Sequence, residues 1–145
     1  PRGSGPNVEI DKGLASLDIG KANLVKEGSD DVIFLNFGSL LHEAIAVCEN
    51  LNLTLIDMRF VKPLDENILR KYLSKAKLFV SLEDGSIKGG AGSSVQEFCA
   101  EENIVIKSKL LGIPDKFIDH ASRDEMIDEV GLTAKQIEET LQQLI

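Results

Sequence analysis

The chain has no tryptophan, one tyrosine and six phenylalanines among its 145 residues. So thin an aromatic complement excludes a platform on which nucleic-acid bases stack. Basic residues are outnumbered: 16 Lys and Arg face 24 Asp and Glu, for a formal charge of −8. That balance excludes a protein whose main work is to bind a phosphate backbone. Cysteine is scarce. Cys48 and Cys99 lie far apart, with no C-x-x-C spacing and no histidine pair beside them. Two reduced, partly buried thiols of a cytoplasmic protein are expected, not a disulfide or a metal site. No apolar run approaches the about 18 residues of a membrane-spanning helix, and no charged-then-apolar leader opens the chain.

What is present is an ordinary globular balance, 43% apolar and 28% charged, at a length that buries one core. Residues 1–7, rich in Gly and Pro, read as linker. Residues 21–26 read as a short strand, 27–31 as a turn, and the continuous apolar run Val32–Phe37 as a central strand. The short turn predicts that these two strands pair antiparallel. Gly38 and Ser39 open a helix whose apolar face carries Leu41, Ala44, Ile45 and Cys48. Residues 53–58 read as a strand. Pro63 and Asp65 then start a helix, with Asp65 as N-cap and Ile68, Leu69 and Tyr72 facing inward.

A further strand is expected over 77–82, a helix from Val95, and a last strand over 103–111. Ser122–Glu125 and Thr133–Gln136 both match the capping-box pattern. They predict two C-terminal helices, the second with Ile137, Leu141 and Leu144 as its apolar stripe. A hairpin followed by strand–helix alternation implies an α/β fold. Its sheet is mostly parallel with one antiparallel strand, and helices cover both faces.

The chemistry of the chain turns on Glu83–Ser94, E-D-G-S-I-K-G-G-A-G-S-S, which holds four of the twelve glycines. Glycine-dense turns between strand and helix often hold phosphate, because bare N–H groups and the helix dipole favour an anion. The motifs fail one by one. Gly85 and Gly90 have P-loop spacing, but Ala91 follows where lysine is required. Gly90 and Gly92 begin a dinucleotide fingerprint, but Val95 stands at its third glycine. The glycines are therefore expected to serve positive φ and close helix-to-sheet packing.

No G-x-S-x-G nucleophile elbow exists. His42 is expected on a helix surface. His120, after a strand end, is expected as a turn residue. Asp57, Asp65, Glu83 and Asp84 fall near strand or helix ends, where N-capping and ion pairing with Arg59 or Lys62 are the default roles. Taken by themselves, the residues describe a compact α/β domain without a complete catalytic constellation.

Three blocks change this reading when taken together: D-M-R-F-V-K-P-L-D over 57–65, the glycine stretch from Leu82, and G-I-P-D-K-F-I-D-H over 112–120 followed by Gly131–Thr133. In this order and spacing the chain resembles the C-terminal domain of the transketolase-like thiamine-diphosphate enzymes, in their 1-deoxy-D-xylulose-5-phosphate synthase branch. The resemblance implies a three-layer αβα domain with a five-stranded mixed sheet. It implies residues 1–18 as linker from a preceding domain and 19–145 as the domain itself.

The resemblance also implies an enzyme that condenses pyruvate with D-glyceraldehyde 3-phosphate and releases CO2. Its product feeds isoprenoid, thiamine and pyridoxal synthesis. Thiamine diphosphate and Mg²⁺ serve the full-length enzyme, but their motif, G-D-G followed by Asn, is absent here. This polypeptide alone is expected to bind neither and to be inactive. Arg2, in Pro1-Arg2-Gly3, matches the family arginine associated with the substrate phosphate, a role suited to the bidentate guanidinium.

The expected partners are the preceding pyrimidine-binding domain and a second subunit in a homodimer, with no nucleic acid and no membrane. An isolated domain is then expected to expose apolar surface. The alternatives are the same domain of a 2-oxo acid dehydrogenase β subunit, or a stand-alone anion-binding or interaction module.

Overall fold

A computed structural model describes residues 16–145. Five strands form one sheet in the order β1-β3-β2-β4-β5. They are β1 (Asn23–Lys26), β2 (Ser29–Phe37), β3 (Leu53–Asp57), β4 (Leu78–Ser86) and β5 (Lys107–Ile113). Five helices connect and flank them: α1 (Leu41–Asn50), α2 (Glu66–Leu73), α3 (Ala91–Glu101), α4 (Arg123–Glu129) and α5 (Ala134–Gln142). The β2–β3, β2–β4 and β4–β5 pairs are parallel and β1–β3 is antiparallel. The mixed αβα architecture is the one that strand–helix alternation predicts.

Alternation along the strands divides the core in two. Val32 and Phe34 of β2 and Val80 and Leu82 of β4 pack with Ala44, Val47 and Cys48 of α1 and Ile137 and Leu141 of α5. Ile33, Leu35 and Phe79 point the other way, to Leu69 and Leu73 of α2 and Val95 and Phe98 of α3. β2 is buried from Val32 to Phe37, as a strand covered on both faces must be.

One pairing differs from expectation. β1 is antiparallel, but its partner is β3 and not β2. β2 gives both its edges to parallel neighbours, so the short, half-exposed β1 is displaced to the rim. Gly28 makes the crossing possible. The chain there runs against the start of β3, with Gly28 N donating to Thr54 Oγ1 (3.0 Å) and Ser29 N to the Asn52 carbonyl (2.8 Å). A Cβ at Gly28 would fall 2.6 Å from the Leu53 backbone, closer than packed atoms tolerate.

Boundaries moved for local reasons. β4 continues through Gly85 to Ser86, and α3 starts at Ala91 instead of Val95. The last strand starts at Lys107, because Ile104 N returns to the Cys99 carbonyl (2.8 Å) at the end of α3 and leaves Val105 fully exposed. Leu144 lies beyond α5 and is exposed, so it is not part of the stripe. Both capping boxes form as read: Ser122 with Glu125, and Thr133 with Gln136. Asp65 caps α2 through Ile68 N (3.3 Å) and also holds Ala22 N (3.1 Å), tying the entry to β1 onto that helix.

Candidate functional site

In a mostly parallel sheet the strand C-termini converge on one rim, and function concentrates there. Toward this rim β4 carries two adjacent acids, Glu83 and Asp84. The pleat sends their side chains to opposite faces.

Glu83 turns toward α3. Its side chain is 5% exposed, and its two oxygens accept from Ala91 N (2.8 Å) and Gly92 N (3.1 Å). These are first-turn amides, which a helix cannot satisfy internally, and the helix dipole adds to the attraction. The buried carboxylate is tolerated because it is hydrogen-bonded on both oxygens. Gly90 and Gly92 permit the approach. A Cβ on Gly90 would strike the Glu83 carboxylate and the Ser86 carbonyl, and one on Gly92 would strike Ser81 Oγ.

The amides that phosphate would use are therefore already bonded to the chain's own carboxylate. This accords with the reading of the glycines as packing residues. It also counts against a stand-alone anion module at this turn.

Asp84 turns toward α1. Its Oδ2 accepts from Ser39 N (3.1 Å), and its carboxylate lies so close to Gly38 (φ 94°) that a Cβ there would fall 2.5 Å from Oδ1. Arg123, at the start of α4, donates from Nη2 to Ser39 Oγ (3.2 Å). Beside this, Asn36 donates from Nδ2 to Asp57 Oδ1 and to the Gly38 carbonyl, both at 3.2 Å. Asp57 in turn pairs with Arg59 at 3.6 Å. Arg59 holds a left-handed backbone, φ 58°, a conformation that costs a non-glycine residue energy and collects at functional positions.

Asp57, Asp65, Glu83 and Asp84 all bind amides or a neighbouring cation, as expected, but the long-range partner of Glu83 had no local signal. Lys62 is not the cation paired with Asp57; Arg59 is. His42 is on α1, part-exposed, 3.1 Å from Glu43. His120 is an exposed residue in a bend. Cys48 and Cys99 are both free and buried. Burial pushes the Cys48 thiol up to about 12 and raises that of Cys99, so neither is a nucleophile near neutral pH. Arg2 lies outside the described residues.

At the glycine turn the chain's own carboxylate stands where a diphosphate would bind. Among the described residues, no group of three His, Cys, Asp or Glu is placed to hold a metal. Among the same residues, no helix is long and apolar enough to cross a membrane.

We expect Glu83→Ala to destabilise the fold by about 1–3 kcal/mol for each amide it strands, read as a lower urea midpoint. Glu83→Gln, which keeps one acceptor oxygen, should lose less. An unchanged midpoint in Glu83→Ala would contradict the assignment.

Comparison with known proteins agrees with this geometry. Residues 20–137 match the family model described as "Transketolase, C-terminal domain". A 1-deoxy-D-xylulose-5-phosphate synthase of Hahella chejuensis (strain KCTC 2396) is 50% identical over 137 residues, 94% of this chain and 21% of that protein. The synthase of Vibrio parahaemolyticus serotype O3:K6 (strain RIMD 2210633) is 45% identical over 141 residues, 97% of this chain and 22% of that protein. The chain thus spans about a fifth of the length of these relatives, in their C-terminal portion. Among solved structures, one described as "Split gene transketolase, inactive beta4 tetramer" superposes with a TM-score of 0.78 at 26% identity, covering 89% of this chain and 42% of that one. The chain belongs to the transketolase C-terminal domain family.

Proposed function

We propose that this chain is the C-terminal, assembly domain of a 1-deoxy-D-xylulose-5-phosphate synthase. That enzyme joins pyruvate to D-glyceraldehyde 3-phosphate with loss of CO2. The observation that carries the reading is 50% identity to such a synthase over 94% of the chain. The same observation favours it over a 2-oxo acid dehydrogenase β subunit. Thiamine diphosphate and Mg²⁺ belong to the preceding parts of the enzyme. There the cofactor supplies the carbanion chemistry and the protein supplies binding and orientation. In this reading residues 1–18 link the domain to those parts, the enzyme is a cytoplasmic homodimer, and the domain alone does not catalyse.

Within the full-length enzyme Arg2 grips the phosphate of glyceraldehyde 3-phosphate. Arg59 is a second candidate for the same phosphate. Its support is the left-handed backbone together with a guanidinium held by a single long pair at the strand-end rim. Arg2→Ala in the full-length protein should lower kcat/KM for glyceraldehyde 3-phosphate by about tenfold or more, the scale of a lost charge-assisted hydrogen bond. Use of pyruvate should change far less. Arg59→Ala should repeat the pattern if it shares the phosphate. Equal losses for both substrates, or none, would contradict the assignment.

The assembly role draws support from apolar side chains left at the surface. Phe117 and Val105 are fully exposed, and Ile19 is 78% exposed. Such groups are normal singly and informative where a partner surface is expected. The 145-residue chain should therefore show a mass that rises with concentration in light scattering. A constant monomer mass at high concentration would count against an assembly surface on this domain.

A further inference from the structure

The strand order creates one point of divergence. The connection leaving β2 runs to β3 on one side, and that leaving β4 runs to β5 on the other. In open α/β sheets such a divergence opens a crevice beyond the strand ends, and ligands settle in it. Here the crevice holds a cavity of about 210 Å³ between the β2–β4 rim and α4. Sites for drug-sized ligands run to about 300–1,000 Å³. A nucleotide is too large for this one, and a molecule of amino-acid size is not.

Its apolar walls are Ile113, Ile118, Met126, Ile127 and Val130. Two opposite charges also line it, Arg123 and Asp84, and they are not within ion-pair distance of each other. The Arg123 side chain is only 23% exposed. Its contacts are the Ser39 hydroxyl at 3.2 Å and a loose pair at 3.8 Å with Asp124, itself 95% exposed. A guanidinium carries five N–H donors, so most of its capacity remains unused among the described residues. Asp84 accepts one bond from Ser39 N and has no cationic partner among those residues.

A simple anion entering this cavity meets Asp84, and a simple cation meets Arg123. A ligand with both charges and an aliphatic body answers every wall. We propose that the cavity binds a small aliphatic zwitterion, an α-amino acid of the leucine or valine type. The carboxylate lies on Arg123 and the Ser39 hydroxyl, the ammonium on Asp84, and the side chain against Ile113, Met126 and Ile127. This is a binding site separate from the substrate-phosphate role given to Arg2 and Arg59, and it holds or fails independently of it.

The test is a titration of the ¹⁵N-labelled 145-residue chain with L-leucine, followed by amide chemical shifts. The comparators are glycine, which lacks the body, isovalerate, which lacks the ammonium and one methylene, and isoamylamine, which lacks the carboxylate. Leucine should give saturable shifts centred on Ser39, Asp84, Arg123 and Ile127. Isovalerate and isoamylamine should bind about tenfold more weakly or worse, the scale of one lost charge-assisted bond. Arg123→Gln should weaken leucine to a similar extent. Asp84→Asn keeps an acceptor for Ser39 N, and it should weaken leucine while leaving isovalerate unchanged or improved. Leucine shifts that do not saturate or that equal those of glycine would overturn the proposal. So would isovalerate binding as tightly as leucine, which marks a plain anion site, or leucine binding indifferent to both substitutions.

Discussion

The rim of this domain depends on two neighbouring carboxylates near the end of one strand. Because a pleated strand alternates its side chains, Glu83 and Asp84 reach opposite faces from adjacent positions. Glu83 bonds the first amides of α3, and Asp84 bonds the amide that leads into α1. One strand end thereby sets the start of a helix in each outer layer. The glycines follow from this constraint. Gly90 and Gly92 leave the volume that Glu83 and Ser81 occupy, and Gly38 leaves that of Asp84.

The same interaction decides what the glycine-dense turn can do. A helix start with bare amides is an anion site, and in this chain the anion is built in. An external phosphate would have to displace a buried carboxylate bonded on both oxygens. The turn is thus a structural joint, and the Arg59 and Arg123 sites proposed above lie on the other side of β4. Arg59, Asp57 and Asn36 cluster there at the ends of β2 and β3, with the Arg123 cavity beside them. Membership of the transketolase C-terminal domain family fits a domain that completes a larger enzyme.

Much of this was legible in the sequence where the signal is local. The two capping boxes and the Asp65 cap are contacts three residues apart, and they form as written. The central character of β2 is carried by its unbroken apolar run. What escaped is non-local. Nothing in residues 21–31 reveals that β1 will cross to β3, because that depends on β2 having both edges filled. Val105 looked like strand because it is β-branched among apolar neighbours, yet the return of Ile104 to the Cys99 carbonyl keeps it outside the sheet. Glu83 caps a helix eight residues downstream, beyond the reach of any capping pattern, and Arg59 gives no sequence sign of its left-handed backbone.

Native-state hydrogen exchange at Ala91 and Gly92 tests the central claim most directly. First-turn amides of a helix ordinarily exchange through solvent contact, since no carbonyl of their own helix protects them. If Glu83 holds them, both should exchange as slowly as the core amides of β4. Exchange at the rate of an exposed loop would show that the carboxylate does not close the helix start. The turn would then stand open to an external anion.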